Sequence, residues 1–273
     1  MILLLLSCAA EPDLPPAPDV PDLVEVAGAT FTMGHPDEPF GDYGQEWKEN
    51  ELLPHEVTVS PFALAADEIT VQTWAGFLDA LSGGPDPDAT LDRHYHPLQP
   101  VAWTGRGFEP GEDEAERPAR FVSWYDATAL CAWLGLRLPT EAEWELAAKG
   151  ADDPERRYPW EDEAVDCSRA VYFTGVTPCE ARPDVAGSRS PAGDAPSGAR
   201  DMAGNVAEWV ADRYGPYGAE PQTDPTGPAE GDLRVVRGGG YREGGDSIRV
   251  TSRFGARPQD RSEGVGLRCA VSR

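Results

Sequence analysis

An irregular α+β domain is predicted for this chain of 273 residues, on three observations. First, 29 glycines and 27 prolines divide the sequence into short segments and leave room for few long helices. Second, two segments near the start alternate apolar and polar residues, the period of half-buried strands. Third, Thr70, Ser123 and Thr140 each stand directly before an apolar pattern of helical spacing, where a hydroxyl can cap the first turn. The length suffices for one domain with its own core, and a composition of 40% hydrophobic and 26% charged residues is ordinary for a globular fold.

Taken in order, the alternation over Leu23 to Met33 around Ala27-Gly28-Ala29 predicts a short hairpin, and His55-Glu56-Val57-Thr58-Val59 predicts a further strand. Thr70 caps a helix with Val71, Trp74, Leu78 and Leu81 on its apolar face, stopped by Gly83-Gly84. Residues 84–120, rich in Pro, Gly and acid, read as a long loop region. Ser123 and Asp126 form a capping box before Ala127, Leu130, Cys131 and Leu134, and Thr140 with Glu143 repeats the device before a helix closed by Lys149-Gly150. Beyond residue 151 the chain is loop-rich, with short β segments near Val206 to Val210, Leu233 to Arg237 and Val265 to Ala270. There is no internal repeat, and Arg237-Gly238-Gly239-Gly240 precedes no helical pattern, so it is not a phosphate-cradling loop.

A formal charge of -25, from 48 acidic against 23 basic side chains, repels nucleic acid and anionic headgroups, and most of these carboxylates read as a solvated surface. The amino terminus has a different character. Residues 1–8 are an apolar run ending in Leu5-Leu6-Ser7-Cys8, too short to span a bilayer and similar to a bacterial lipobox in which Cys8 is acylated; the alternative is a frayed tail with an incidental cysteine. Residues 9–22 hold five prolines and four acids and read as an extended tether, leaving residues 23–273 as the folded domain. The expectation is a lipid-anchored protein of the bacterial cell envelope, at the outer membrane or the periplasmic face.

Several segments then match one family in order. They are Gly28-Ala29-Thr30-Phe31-Thr32-Met33-Gly34, Asp67-Glu68-Ile69-Thr70, Val122-Ser123-Trp124-Tyr125-Asp126-Ala127, Arg137-Leu138-Pro139-Thr140-Glu141-Ala142-Glu143-Trp144-Glu145 and Tyr158-Pro159-Trp160. Asp201-Met202-Ala203-Gly204-Asn205-Val206-Ala207-Glu208-Trp209, Arg234-Val235-Val236-Arg237-Gly238-Gly239 and Gly266-Leu267-Arg268-Cys269-Ala270 complete the series. The series resembles the formylglycine-generating enzyme, or sulfatase-modifying factor, family from residue 23 to the end. The resemblance implies a variant of the C-type-lectin-like fold, often calcium-bound, and, as the family's best-known activity, copper- and oxygen-dependent oxidation of a sulfatase cysteine. Other members are bacterial lipoproteins, maturation factors and binding proteins.

By similarity, calcium is expected at the Asp201 side chain, the Gly204 and Val206 carbonyls and the Glu208 carboxylate, a set of hard oxygen donors. The plainer alternative pairs Asp201 and Glu208 with Arg200 and Arg213. A second family calcium site falls on Cys167-Ser168-Arg169-Ala170-Val171-Tyr172, which lacks its asparagine, and Asp184 and Asp194 are uncommitted candidates.

The five cysteines are accounted for as follows. Cys8 carries lipid, Cys131 and Cys269 match a disulfide pair of the family, and Cys167 and Cys179 flank a short loop that a second bridge, or less plausibly a metal, would close. Copper(I) is selected by soft thiolates. The family's pair of thiolates is expected at Arg249 and Phe254, in a stretch compared with Cys-x4-Cys-Ala-Ala-Arg, and a family asparagine is replaced by Gly264. Copper is therefore not expected. His35, His55, His94 and His96 all lie in the first 100 residues; only His94-Tyr95-His96 is spaced for a shared metal, and no Gly-x-Ser-x-Gly elbow is present.

These features favour a non-oxidase binding or accessory module holding a protein, peptide or glycan. Its expected groove comprises Trp124, Tyr241, Arg249, Arg253, Phe254 and Arg257, side chains suited to recognition, although core packing is the plainer reading of Trp124 and balance of the surplus acid that of Arg253 or Arg257. The alternatives are an oxidizing or maturation enzyme of the same family and a structural component of an envelope complex.

Overall fold

The computed structural model describes residues 17, 20–35, 53–83, 87–161 and 163–273, with only the backbone of 87–90; Cys8 and most of the expected tether lie outside them. It is a mixed α+β fold of few helices and short strands. In chain order the elements are β1 (Leu23–Val26), β2 (Ala29–Met33), β3 (His55–Val59), β4 (Phe62–Ala65), α1 (Val71–Ser82), α2 (Pro87–His94), β5 (Val101–Trp103) and β6 (Phe108–Pro110). They continue with α3 (Trp124–Trp133), α4 (Glu141–Lys149), β7 (Ala207–Arg213), β8 (Gln222–Thr223), β9 (Arg234–Arg237), β10 (Arg253–Ala256), β11 (Val265–Leu267) and β12 (Ala270–Ser272).

The three predicted helices form where their caps stand. Thr70, Ser123 and Thr140 each accept from the backbone N–H three residues on, and Asp126 and Glu143 return the bond in full capping boxes. The long α1 buries Val71, Trp74, Phe77, Leu78 and Leu81 together, and Gly83 ends it. Among the described residues, no helix is long and apolar enough to cross a membrane.

The hairpin expected over residues 23–33 does not form. β1 pairs antiparallel with β4, and β2 pairs with β3, so the two strands join different sheets. Alternation reports a half-buried strand but carries no information about its partner. Residues 84–120 also hold more structure than their composition suggests, namely α2 and the β5–β6 hairpin. The Asp79 carboxylate of α1 fixes that hairpin by accepting from Phe108 N at 2.6 Å, and the Trp103 and Phe108 rings meet at 5.3 Å.

A four-stranded sheet in the order β10-β9-β7-β11 divides the interior in two. Trp209 and Val236 face one core with Trp74, Phe77, Trp124 and Leu130, while Val210 and Val235 face another with Phe31, Phe62, Trp144 and Leu146. The second face also carries charge. By alternation along β7, β9 and β10, Glu208, Asp212, Arg237 and Arg253 share a side with Val210 and Val235, opposite α4, and all four are buried. Two disulfides close the fold, Cys131–Cys269 from α3 to the residue before β12 and Cys167–Cys179 across a loop. The first pairing is the one implied by the family resemblance, and the second is the one that the short intervening loop suggested.

Candidate functional site

The residues expected to hold calcium are organised around an arginine. Asp201, Gly204 and Asn205 take left-handed backbone angles, with φ of 54°, 84° and 61°, and turn the chain sharply before β7. At Gly204 a Cβ would lie 2.5 Å from the Val171 carbonyl oxygen, so this turn requires glycine. Glu68 then clamps the turn, accepting from Val206 N at 3.0 Å and from Asn205 Nδ2 at 2.6 Å.

Glu208 is bound on both oxygens: Arg268 Nη2 donates to Oε1 and Arg268 Nε to Oε2, each at 2.7 Å, and Trp144 Nε1 donates to Oε2 at 2.7 Å. Asp201 accepts from Gly187 N at 2.5 Å and feels the Arg268 charge, while burial pushes its carboxyl up to about 6. Burial, reinforced by Asp201 and Glu208, raises the Glu68 carboxyl well above its usual range. The cation among these three carboxylates is Arg268, in place of Arg200 and Arg213. As placed, Glu208 has its charge met by Arg268 and both of its oxygens engaged. Among the described residues no three His, Cys, Asp or Glu side chains converge to hold a metal.

Of the six residues expected to line one groove, Trp124 and Phe254 pack in one core cluster and Tyr241 is fully buried. Trp124 is buried, donates from Nε1 to the Val210 carbonyl at 2.8 Å and lies under Arg234, whose guanidinium sits 3.7 Å from the ring. Tyr241 is buried; desolvation and the Glu263 carboxylate push its hydroxyl up to about 12. Arg249 is folded back onto the Asp246 carbonyl at 2.8 Å and the Thr251 hydroxyl at 3.2 Å. Phe254 packs on the Trp74 core, and Arg257 is exposed beside Asp260. His94 binds Asp126 at 2.9 Å whereas His96 stacks on Phe121, so that pair is not one site.

Of the six, Arg253 borders a cavity. It is held by two parallel bonds to Glu141, Nε to Oε1 and Nη2 to Oε2, each at 2.7 Å, and by the Gly215 carbonyl, between the rings of Tyr214 and Tyr217. Glu141 also receives Arg237 at 3.0 Å and the Tyr217 hydroxyl at 3.1 Å, so two guanidiniums hold its carboxyl below the usual range against the cost of burial. The cavity beside them measures about 210 Å³, and Met33, His55, Asp212, Tyr217, Gln222 and Pro228 contribute to its wall. Asp212 is 3% exposed, and its Oδ2 accepts from Glu141 N, the first N–H of α4, at 2.8 Å. Burial and the neighbouring Glu141 charge push its carboxyl up to about 7.

Sequence reasoning missed this cavity. Its only local signal was the alternation of charge along Glu208-Trp209-Val210-Ala211-Asp212 and Arg234-Val235-Val236-Arg237, which places charge on an interior face.

The chain is 32% identical over 313 residues to the inactive Cα-formylglycine-generating enzyme 2 of Mus musculus, covering 100% of this chain and 92% of that one. It is 32% identical to the formylglycine-generating enzyme of Streptomyces coelicolor, covering 90% and 88%. It is 33% identical to the serine/threonine-protein kinase pkn1 of Chlamydia pneumoniae, but spans only 38% of that protein's length. Among solved structures, PvdO from Pseudomonas aeruginosa superposes with a TM-score of 0.69 at 26% identity, covering 93% and 95% of the two chains. Residues 9–273 match the family described as the sulfatase-modifying factor enzyme 1-like domain, so the fold, its capped helices and its Arg268-centred turn are those of a chain that belongs to that family.

Proposed function

We propose that this protein is an exported, lipid-anchored member of its family that binds or assists a partner and does not carry out copper-dependent oxidation. The observation that carries the reading is the state of its sulfur. Copper(I) centres of the family type need two thiolates, yet Cys131, Cys269, Cys167 and Cys179 are all consumed in disulfides. No cysteine stands between Cys179 and Cys269, so no alignment of the segment around Arg249 and Phe254 with the family supplies one. Similarity alone does not decide the matter, since relatives at equal identity include one named active and one named inactive.

Two disulfides suit an oxidising compartment outside the cytosol. Acylation of Cys8 would tie the domain to an envelope membrane, and the ligand would be a protein, peptide or glycan. The decisive experiment titrates the purified domain with copper(I) against a chelating competitor and follows oxygen uptake with a cysteine-containing sulfatase peptide. No stoichiometric copper and no peptide-dependent uptake are expected; tight copper binding with turnover would overturn the reading. For the anchor, Cys8→Ser should move the protein from the membrane fraction to the soluble fraction and remove an acyl mass, and unchanged membrane association would refute it.

A further inference from the structure

The cavity beside α4 has a carboxylate without a direct ion pair among the described residues. Glu141 is matched by Arg253 and Arg237, and Arg237 also by Glu145, whereas Asp212 has no ion-pair partner among the described residues. Its Oδ2 is used by Glu141 N, and no donor of the described residues reaches Oδ1. A buried carboxylate in that position is costly unless a positive group or further donors meet it.

The Arg253 charge reaches Asp212, but its donors are engaged elsewhere. Arg253 spends Nε and Nη2 on Glu141 and Nη1 on the Gly215 carbonyl. The same saturation argues against an anionic ligand, which would meet Asp212 and Glu141 with no guanidinium to receive it. The remaining wall is largely apolar, from Met33, Pro216, Pro225 and Pro228, with the rings of His55 and Tyr217 5.0 Å apart at one side. A volume of about 210 Å³ is below the roughly 300–1,000 Å³ of pockets for drug-sized ligands.

We propose that this cavity binds a small organic cation, an ammonium or guanidinium group on a short alkyl chain, with the Asp212 carboxylate as its counter-ion. The alkyl chain lies along the methionine and proline wall and the charged end meets Oδ1. The cation is either a free amine or the side chain of a lysine or arginine in a partner peptide, the chemistry being the same. This deepens the binding reading above by naming a ligand class. It fails separately, because copper and oxygen do not involve this cavity.

The test is titration of the intact domain at pH 8, read by calorimetry and by shifts of the Tyr217 and Met33 resonances, with four short-chain probes: n-butylammonium, n-butylguanidinium, 1-butanol and butyrate. Saturable binding of one or both cations, at least tenfold tighter than butanol and with no binding of butyrate, is expected. A capped lysine, Nα-acetyl-lysine-methylamide, separates the sources: its binding points to a peptide side chain, its exclusion with butylammonium still bound to a free amine.

Asp212→Asn keeps an acceptor for Glu141 N and should weaken the cations at least tenfold without changing butanol. Gly218→Phe provides a second, fold-neutral variant, since Gly218 is exposed at the cavity and a Cβ there meets nothing nearer than Gln222 Nε2 at 3.9 Å. It should block every probe. Equal affinity for butylammonium and butanol, preference for butyrate, or cation binding unchanged in both variants would overturn the proposal.

Discussion

Replacing Asp212 with asparagine should stabilise the fold at pH 8 far more than at pH 5. The Asp212 carboxyl is pushed from 3.8 to about 7 in the folded protein, by burial and the charge of Glu141. A group raised in this way favours folding while both states hold the proton, and that advantage is lost as pH rises from about 4 through 7, because the unfolded chain releases the proton first. The full shift of about 3 units is worth roughly 4 kcal/mol at 1.36 kcal/mol per unit. At pH 5 little more than a third of this penalty applies, and at pH 8 nearly all of it, so the two conditions differ by about 3 kcal/mol.

Urea unfolding of the parent and of Asp212→Asn, followed by tryptophan fluorescence at both pH values, measures the difference directly. Asp201 and the other carboxylates are common to both chains and cancel. A stability gap that stays constant within about 1 kcal/mol between pH 5 and 8 would refute the assignment of Asp212 as a buried acid held above its usual range. Saturation of the parent with a cation that occupies the cavity should shrink the gap at pH 8.

Arg268→Met should destabilise the domain by about 3–5 kcal/mol, because it leaves Glu208, Asp201 and Glu68 buried without their cation; a loss below about 1 kcal/mol in a urea melt would contradict the arrangement. Loop-closure entropy gives about 5 kcal/mol for opening Cys131–Cys269, with a sequence separation of 138, and about 3 kcal/mol for Cys167–Cys179, with a separation of 12, so the paired Cys→Ala variants should rank in that order by chemical denaturation. Ser123→Ala and Thr140→Ala should each cost about 1 kcal/mol as lost helix caps, and no change in midpoint for either would argue against the capping boxes.

The helices were legible because their signals are local. Thr70, Ser123 and Thr140 each act on an N–H three residues away, so the bond that starts the helix is written within one turn of sequence. Strand positions at 207–213, 234–237 and 265–267 were legible in the same way, from period and residue type. Strand partners were not: β1 and β2, two residues apart in the chain, pair with β4 and β3 in separate sheets, and nothing within either strand encodes that choice. The β5–β6 hairpin was hidden by composition, since its anchor is Asp79, 29 residues before Phe108.

The sequence by itself determined the capped helices and suggested the short Cys167–Cys179 bridge, and the order of its motifs carried the family resemblance that implied Cys131–Cys269. Tertiary structure alone decided that the partner of Glu208 is Arg268, 60 residues away, and that Arg253 meets Glu141 across 112. It alone left Asp212 beside them without an ion pair among the described residues. A buried charge takes whichever opposite charge the packing of sheet on helix brings within reach, and that distance is fixed by the fold of the whole domain, not by the spacing of residues along the chain.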